Sequence, residues 1–318
     1  MDFLLSPVIL FFILGVVAAL LGSTLTIPEA VGKGISLYLM AAIGLKGGVE
    51  VSAAGFSTDL ASAVVAGLLL GFLLPFPTYF VLRRLGGLDP VNAAAVAAHY
   101  GSVSVVTYVT GVEILTASGM PPAGYMVAVL ALMEAPAIVA GLMLARSGGT
   151  DLGIERRELV REALLNGAVV LLAGGFVIGL LVGKQGFSAV EPLFQDAFRG
   201  ILCLFLLDMG LLAARRLREG RALTIRLACF AMLFALVNGI VGVLVGTVIG
   251  LSAGSAAALG ILAGSASYIA VPAAMRLALP AANPGIYLSM SLAVTFPFNI
   301  IVGIPLFAHL ALSLAKLT

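Results

Sequence analysis

Long apolar runs closed by glycine, proline or charge dominate the chain, at approximately 7–22, 34–45, 60–82, 91–115, 124–145, 163–182, 197–214, 224–250, 254–279 and 285–312. A helix needs roughly 20 mainly apolar residues to cross the hydrocarbon of a bilayer. The pattern therefore predicts an all-α integral membrane protein of ten transmembrane helices with short connections. Composition agrees, since 61% of the 318 residues are hydrophobic and 10% charged. With a mean hydropathy of +1.18, most of the surface must face lipid rather than water. The first run carries Asp2 and no basic segment ahead of it, which predicts a retained helix and not a cleaved leader.

Charge fixes an expected orientation. With the N-terminus outside, thirteen of the seventeen basic residues fall in cytoplasmic segments, leaving Lys46, Lys184, Arg199 and Lys316 outside. This bias follows the positive-inside rule and predicts a multi-pass protein with both termini outside. The net charge is only +2, and no basic run is interleaved with aromatics, so nucleic acid is excluded as a partner. Cys203 and Cys229 lie inside apolar runs, where they read as core filling and offer no metal spacing or disulfide framework.

The polar stretch 147–162 reads as a short cytoplasmic surface helix joining two halves, 1–146 and 163–318. Internal similarity supports that division. Ala93-Ala94-Ala95 followed by Gly101-Ser102-Val103-Ser104 recurs 163 residues later as Ala256-Ala257-Ala258 followed by Gly264-Ser265-Ala266-Ser267. Near the same offset, Glu134-Ala135-Pro136 falls against Thr295-Phe296-Pro297, and Gly44-Leu45 against Gly210-Leu211. Repeats of five spans, an odd number, must be inverted, an arrangement that builds one site near the bilayer midplane in many secondary transporters.

The matched segments carry the chemistry. HYGSVSVVTYVT in the fourth run and AGSASYIAVPAA in the ninth place small, hydroxylated and β-branched residues where a continuous helix would take Leu or Ala, and Pro272 removes a backbone donor. Both helices are expected to break. Non-helical backbone at membrane depth is tolerated only where it is packed in protein or lines a wet cavity. Each half-helix N-terminus behaves like about +0.5 of an elementary charge, so a facing pair would hold a monoanion without arginine.

The anion candidates are Gly101, Ser102, Val103, Ser104 and Thr107, with Gly264, Ser265, Ala266, Ser267 and Tyr268. Ser and Tyr hydroxyls would donate, and Gly101 and Gly264 would permit close backbone approach. Sodium wants hard oxygen ligands, for which Asn92, Thr110, Glu134, Asn238, Thr295 and Asn299 are the candidates. Glu134 stands out as an ionisable group inside an apolar span. His99 and Asp208 are candidates for pH response or tuning of the site. No intramembrane-protease signature or metal-ligand cluster is present, so the chain reads as a non-enzyme without a cofactor.

AAHYGSVSVVT at 97–107, AGSASYIAVPAAMR at 263–276 and TFPFNIIVGIPL at 295–306 resemble the sodium-dependent bicarbonate transporter family typified by the cyanobacterial inorganic-carbon uptake permease. The likeness runs over essentially the whole chain. It implies a ten-helix fold with a gate domain from spans 1, 2, 6 and 7 and a core from spans 3–5 and 8–10. It also implies a homotrimer, elevator-like motion, sodium as coupling ion, bicarbonate at the two Gly-Ser segments, and a cytoplasmic PII-like regulator. The residues alone leave open another small carboxylate or oxyanion as cargo, or an anion channel.

Overall fold

The computed structural model describes residues 6–55, 57–149, 165, 167–219 and 223–316. The joining segment expected as a surface helix lies, from residue 150 to 162, outside the described residues. The helices are α1 (Pro7–Leu20), α2 (Glu29–Ala54), α3 (Thr58–Arg84), α4 (Pro90–Gly101), α5 (Val105–Ala117) and α6 (Met126–Ser147). They continue with α7 (Gly167–Phe187), α8 (Phe198–Glu219), α9 (Ile225–Val248), α10 (Ala253–Ala263), α11 (Ala270–Ala278) and α12 (Pro284–Ala315). No strand occurs among the described residues.

Six of these helices, α2, α3, α6, α7, α9 and α12, are long and apolar enough to cross a membrane by length and composition. Helix α1 is apolar but has 14 residues. The fourth and ninth apolar runs are each divided, into α4 with α5 and α10 with α11.

Local chemistry sets the boundaries. Ser57, Asp89, Ser104, Thr224 and Ser252 each cap a helix by accepting a backbone N–H two or three residues ahead, as in Asp89 Oδ1 to the Asn92 amide at 3.0 Å. Pro7 and Pro90 occupy first-turn positions where no donor is needed. Pro136 sits inside α6. Helix α12 widens into π-helical turns at Ser289–Thr295 and Asn299–Gly303, on either side of Pro297.

Two seams built on glycine join α1, α2, α7 and α8. Helix α1 packs on α8, and α2 on α7. A Cβ at Gly15 would strike the Leu207 carbonyl and one at Gly210 the Phe12 carbonyl. Across α2 and α7, a Cβ at Gly44 would come within 2.5 Å of the Leu172 carbonyl, and one at Gly48 would strike that of Phe176. Backbones thus meet directly, the close approach that drives helix association where no hydrophobic effect operates.

Beside these seams, one buried cluster joins Phe12, Met40, Val105, Tyr108 and Phe296. A second surrounds α4 and α11 with Tyr79, Tyr100, Phe234, Met275 and Tyr287. Of the two cysteines, Cys203 is buried and Cys229 is exposed on α9, so only the first fills the core as expected.

Overpacking a close helix contact costs about 1–3 kcal/mol. Gly48→Ala should accordingly lower the unfolding temperature in detergent. Gly34→Ala, on the same helix but with nothing within 4 Å of its added carbon, should leave that temperature unchanged or slightly raised.

Candidate functional site

Both divided runs break where the Gly-Ser segments stand. Helix α4 ends at Gly101, extended backbone follows at Ser102 to Ser104, and α5 begins at Val105. Helix α10 ends at Ala263 and α11 begins at Ala270. The breaks face each other and are tied together. The Ser104 amide donates to Ser265 Oγ at 2.8 Å, and Ser265 Oγ in turn donates to the Leu262 carbonyl at 2.8 Å. The Ser267 amide donates to the His99 carbonyl at 3.0 Å. Ser104 Oγ caps α5 by accepting from the Thr107 amide at 3.2 Å, and Ser267 Oγ accepts from the Val271 amide at 3.3 Å.

Between the breaks lies a small cavity of about 10 Å³, lined by Val103, Ser104, Val105, Glu134, Ser267, Tyr268, Ile269 and Met40. That is room for about one water-sized molecule. The N-termini of α5 and α11 both border it, so their partial positive charges act on the same small space. Tyr268 sets its hydroxyl beside Ser104. Glu134 is buried with Oε2 lacking a hydrogen-bond partner. An anion of four heavy atoms would need the lining to part, and Met40, the only lining residue that α2 contributes, is one of the side chains in its way.

The remaining candidates divide by position. Thr295 Oγ1 pairs with Tyr100 Oη at 2.6 Å, and Asn238 Nδ2 donates to the Tyr100 carbonyl at 3.4 Å. Asn299 Nδ2 donates to the Gly264 carbonyl at 2.9 Å, leaving its buried Oδ1 without a partner. These three hold the ends of α4 and α10 at the breaks. Thr110 back-bonds within α5 to the Val106 carbonyl at 2.9 Å. The Ser102 hydroxyl is buried with no partner, and Ala266 is buried in the second core cluster.

His99 donates from Nδ1 to the Ala95 carbonyl at 2.6 Å and stacks on Tyr287, ring centroids 4.4 Å apart. Its Nε2 is buried without a partner.

Asn92 and Asp208 stand apart from this group. Asn92 lies in the first turn of α4, where its amide group bonds Asp89 Oδ2 at 2.5 Å and its oxygen accepts the Asn283 amide at 2.7 Å. At about 1.5 Å per residue it is roughly 13 Å along the helix from Gly101. Asp208 sits on α8 against α2, in space left by Gly32.

The glycines also have a task in packing. A Cβ at Gly101 would collide with Pro75, and one at Gly264 would meet the Ala235 carbonyl at 2.7 Å. Both are small because neighbouring helices occupy the space.

Sequence reasoning missed Met40, one apolar residue among many, and Tyr100. The second had a signal: a tyrosine buried in a membrane needs a hydroxyl partner.

Apolar helices, two of them broken around an internal polar cavity, define a multi-pass membrane protein of the transporter class. The family model of the Na+-dependent bicarbonate transporter superfamily matches residues 7–312, and the chain belongs to that superfamily. No curated protein sequence matches it.

Removing a buried hydrogen-bond partner costs about 1–3 kcal/mol. Ser265→Ala, which strands the Ser104 amide, is expected to lower the melting temperature in detergent. Ser102→Ala, whose hydroxyl has no partner, is expected to leave it within error.

Proposed function

We propose that the protein is a sodium-coupled symporter that imports a small anion, bicarbonate first among them, held between the N-termini of α5 and α11. The observation that carries this reading is the cavity bordered by both N-termini, Ser104, Ser267 and Tyr268, with an unpartnered Glu134 carboxylate in its wall. Family membership supports sodium and bicarbonate as the cargo. Glu134 Oε2 and Asn299 Oδ1 are the buried acceptors best suited to sodium, since neither accepts a hydrogen bond. Asn92 suits it least, because its oxygen already accepts a backbone amide.

In this reading ten spans form two inverted repeats, 1–146 and 163–318. The reciprocal packing of α1 on α8 and α2 on α7 supports it, because the first helix of each half then meets the second helix of the other. Spans 1, 2, 6 and 7 would be the gate, and the remaining spans a core that carries the loaded cavity across in an elevator motion. A homotrimer in the bacterial inner membrane and a cytoplasmic PII-like regulator come from the resemblance alone, and both termini outside from the distribution of the basic residues.

Uptake of radiolabelled bicarbonate into proteoliposomes tests the reading. It should saturate and require an inward sodium gradient, and Ser104→Ala and Ser267→Ala should weaken it without changing expression. Sodium-driven uptake of a different carboxylate or oxyanion, found by competition, would keep the mechanism and replace the cargo. Uptake that neither saturates nor responds to sodium would leave a channel.

Glu134→Gln keeps the side-chain shape and removes its charge. Because an ionisable group in this setting needs a partner, the variant should lose about tenfold in the sodium dependence of uptake. Bicarbonate should still stabilise the variant against heat. Wild-type sodium dependence in the variant would remove Glu134 from the coupling site.

A further inference from the structure

On the side of the molecule that holds the N-terminal end of α1, two cavities adjoin at Glu113. One of about 270 Å³ is lined by Lys46, Glu50, Tyr108, Val112, Glu113 and Thr116, among others. The other, about 600 Å³, extends past Arg199 to Ser6 and Pro7. Together they make a vestibule walled by α1, α2, α5 and α8. Its charged groups are compensated in place: Arg199 pairs with Glu113, and the Lys46 ammonium lies 4.9 Å above the centre of the Phe198 ring. Ionisable side chains on membrane helices face protein interior or water-filled space, and here Lys46, Glu50, Glu113 and Arg199 line the two cavities.

The vestibule and the small central cavity share two walls. Helix α2 gives Met40 to the cavity and Ile43, Lys46 and Gly47 to the vestibule. Helix α5 gives Val105 to the cavity and Tyr108, Val109 and Val112 to the vestibule. On each helix the first vestibule residue follows the cavity residue by three positions, about 4.5 Å at roughly 1.5 Å per residue. Only one layer of side chains separates the two spaces, and Ile43 and Tyr108, both buried, belong to it.

We propose that this vestibule is the route by which a small oxyanion reaches the central cavity from this side, with Met40, Ile43 and Tyr108 as the barrier. The proposal rests on the transport reading above. Under the topology proposed there, this is the outer face, and the barrier opens by side-chain rearrangement between α2 and α5.

Cysteine accessibility in intact cells tests it. Val112→Cys on the vestibule wall and Thr116→Cys nearer its mouth are each treated from outside with the membrane-impermeant anionic reagent 2-sulfonatoethyl methanethiosulfonate. Modification at Val112→Cys should cut sodium-driven bicarbonate uptake by about tenfold or more, because the added sulfonate obstructs the vestibule that leads to the barrier. Wild type given the same treatment serves as the reference. Complete modification, verified by mass, with uptake unchanged would overturn the proposal, and so would failure of both cysteines to react. A wild type with no uptake before treatment would instead sink the transport reading.

Discussion

Inside a bilayer a helix can stop only where the amides and carbonyls it frees find partners within the protein. That requirement governs the centre of this molecule, because two helices stop there and each break satisfies the other. The Ser104 amide goes to Ser265, the Ser267 amide to the His99 carbonyl, the Tyr100 carbonyl to Asn238 and the Gly264 carbonyl to Asn299. None of these partners lies on the same broken helix as the group it satisfies. The breaks are therefore one unit, and displacing either alone would strand buried polar groups at about 1–3 kcal/mol each. Any large motion must carry α4, α5, α10 and α11 together with the parts of α9 and α12 that bond to them.

The contacts around this unit differ in kind. Along α1 with α8 and α2 with α7, glycines let backbone meet backbone, leaving no slack for one helix to shift on the other. Beside the cavity α2 instead presents side chains, with Met40 and Ile43 in the same buried cluster as Val105, Val106, Tyr108 and Val109. Methionine is flexible and adapts to changing surroundings. A seam that resists sliding beside a face that can repack gives a physical basis for the proposed division into a stationary gate and a moving core.

The elements were legible because the bilayer simplifies them: an apolar run of sufficient length has to be a helix, and a helix lies over each of the runs noted in the sequence. The breaks were legible for a related reason, since Gly, Ser and β-branched residues at membrane depth weaken a helix unless something else holds the chain. Their functional details were less so. That Gly101 and Gly264 also make room for neighbouring helices follows only from the positions of Pro75 and the Ala235 carbonyl. Asn92 looked like any buried amide until its oxygen was found accepting the Asn283 amide, a contact 191 residues away in the chain. Met40 carries no local signal, because its importance comes wholly from the helix that happens to face α2.

Under the proposed function, charge balance at the cavity would give the coupling a cause independent of shape. In that reading Glu134 is ionised during transport, and its charge offsets the N-termini of α5 and α11, which contribute about +0.5 each. Bringing in a monoanion then leaves one uncompensated negative charge in a buried space with room for about one water-sized molecule, where the penalty is several kcal/mol. A single sodium ion would remove it, and Glu134 Oε2, unpartnered in the cavity wall, is the acceptor proposed to receive one. Under the proposed function, anion and cation must therefore occupy the site together, because either one alone leaves net charge buried next to the two breaks.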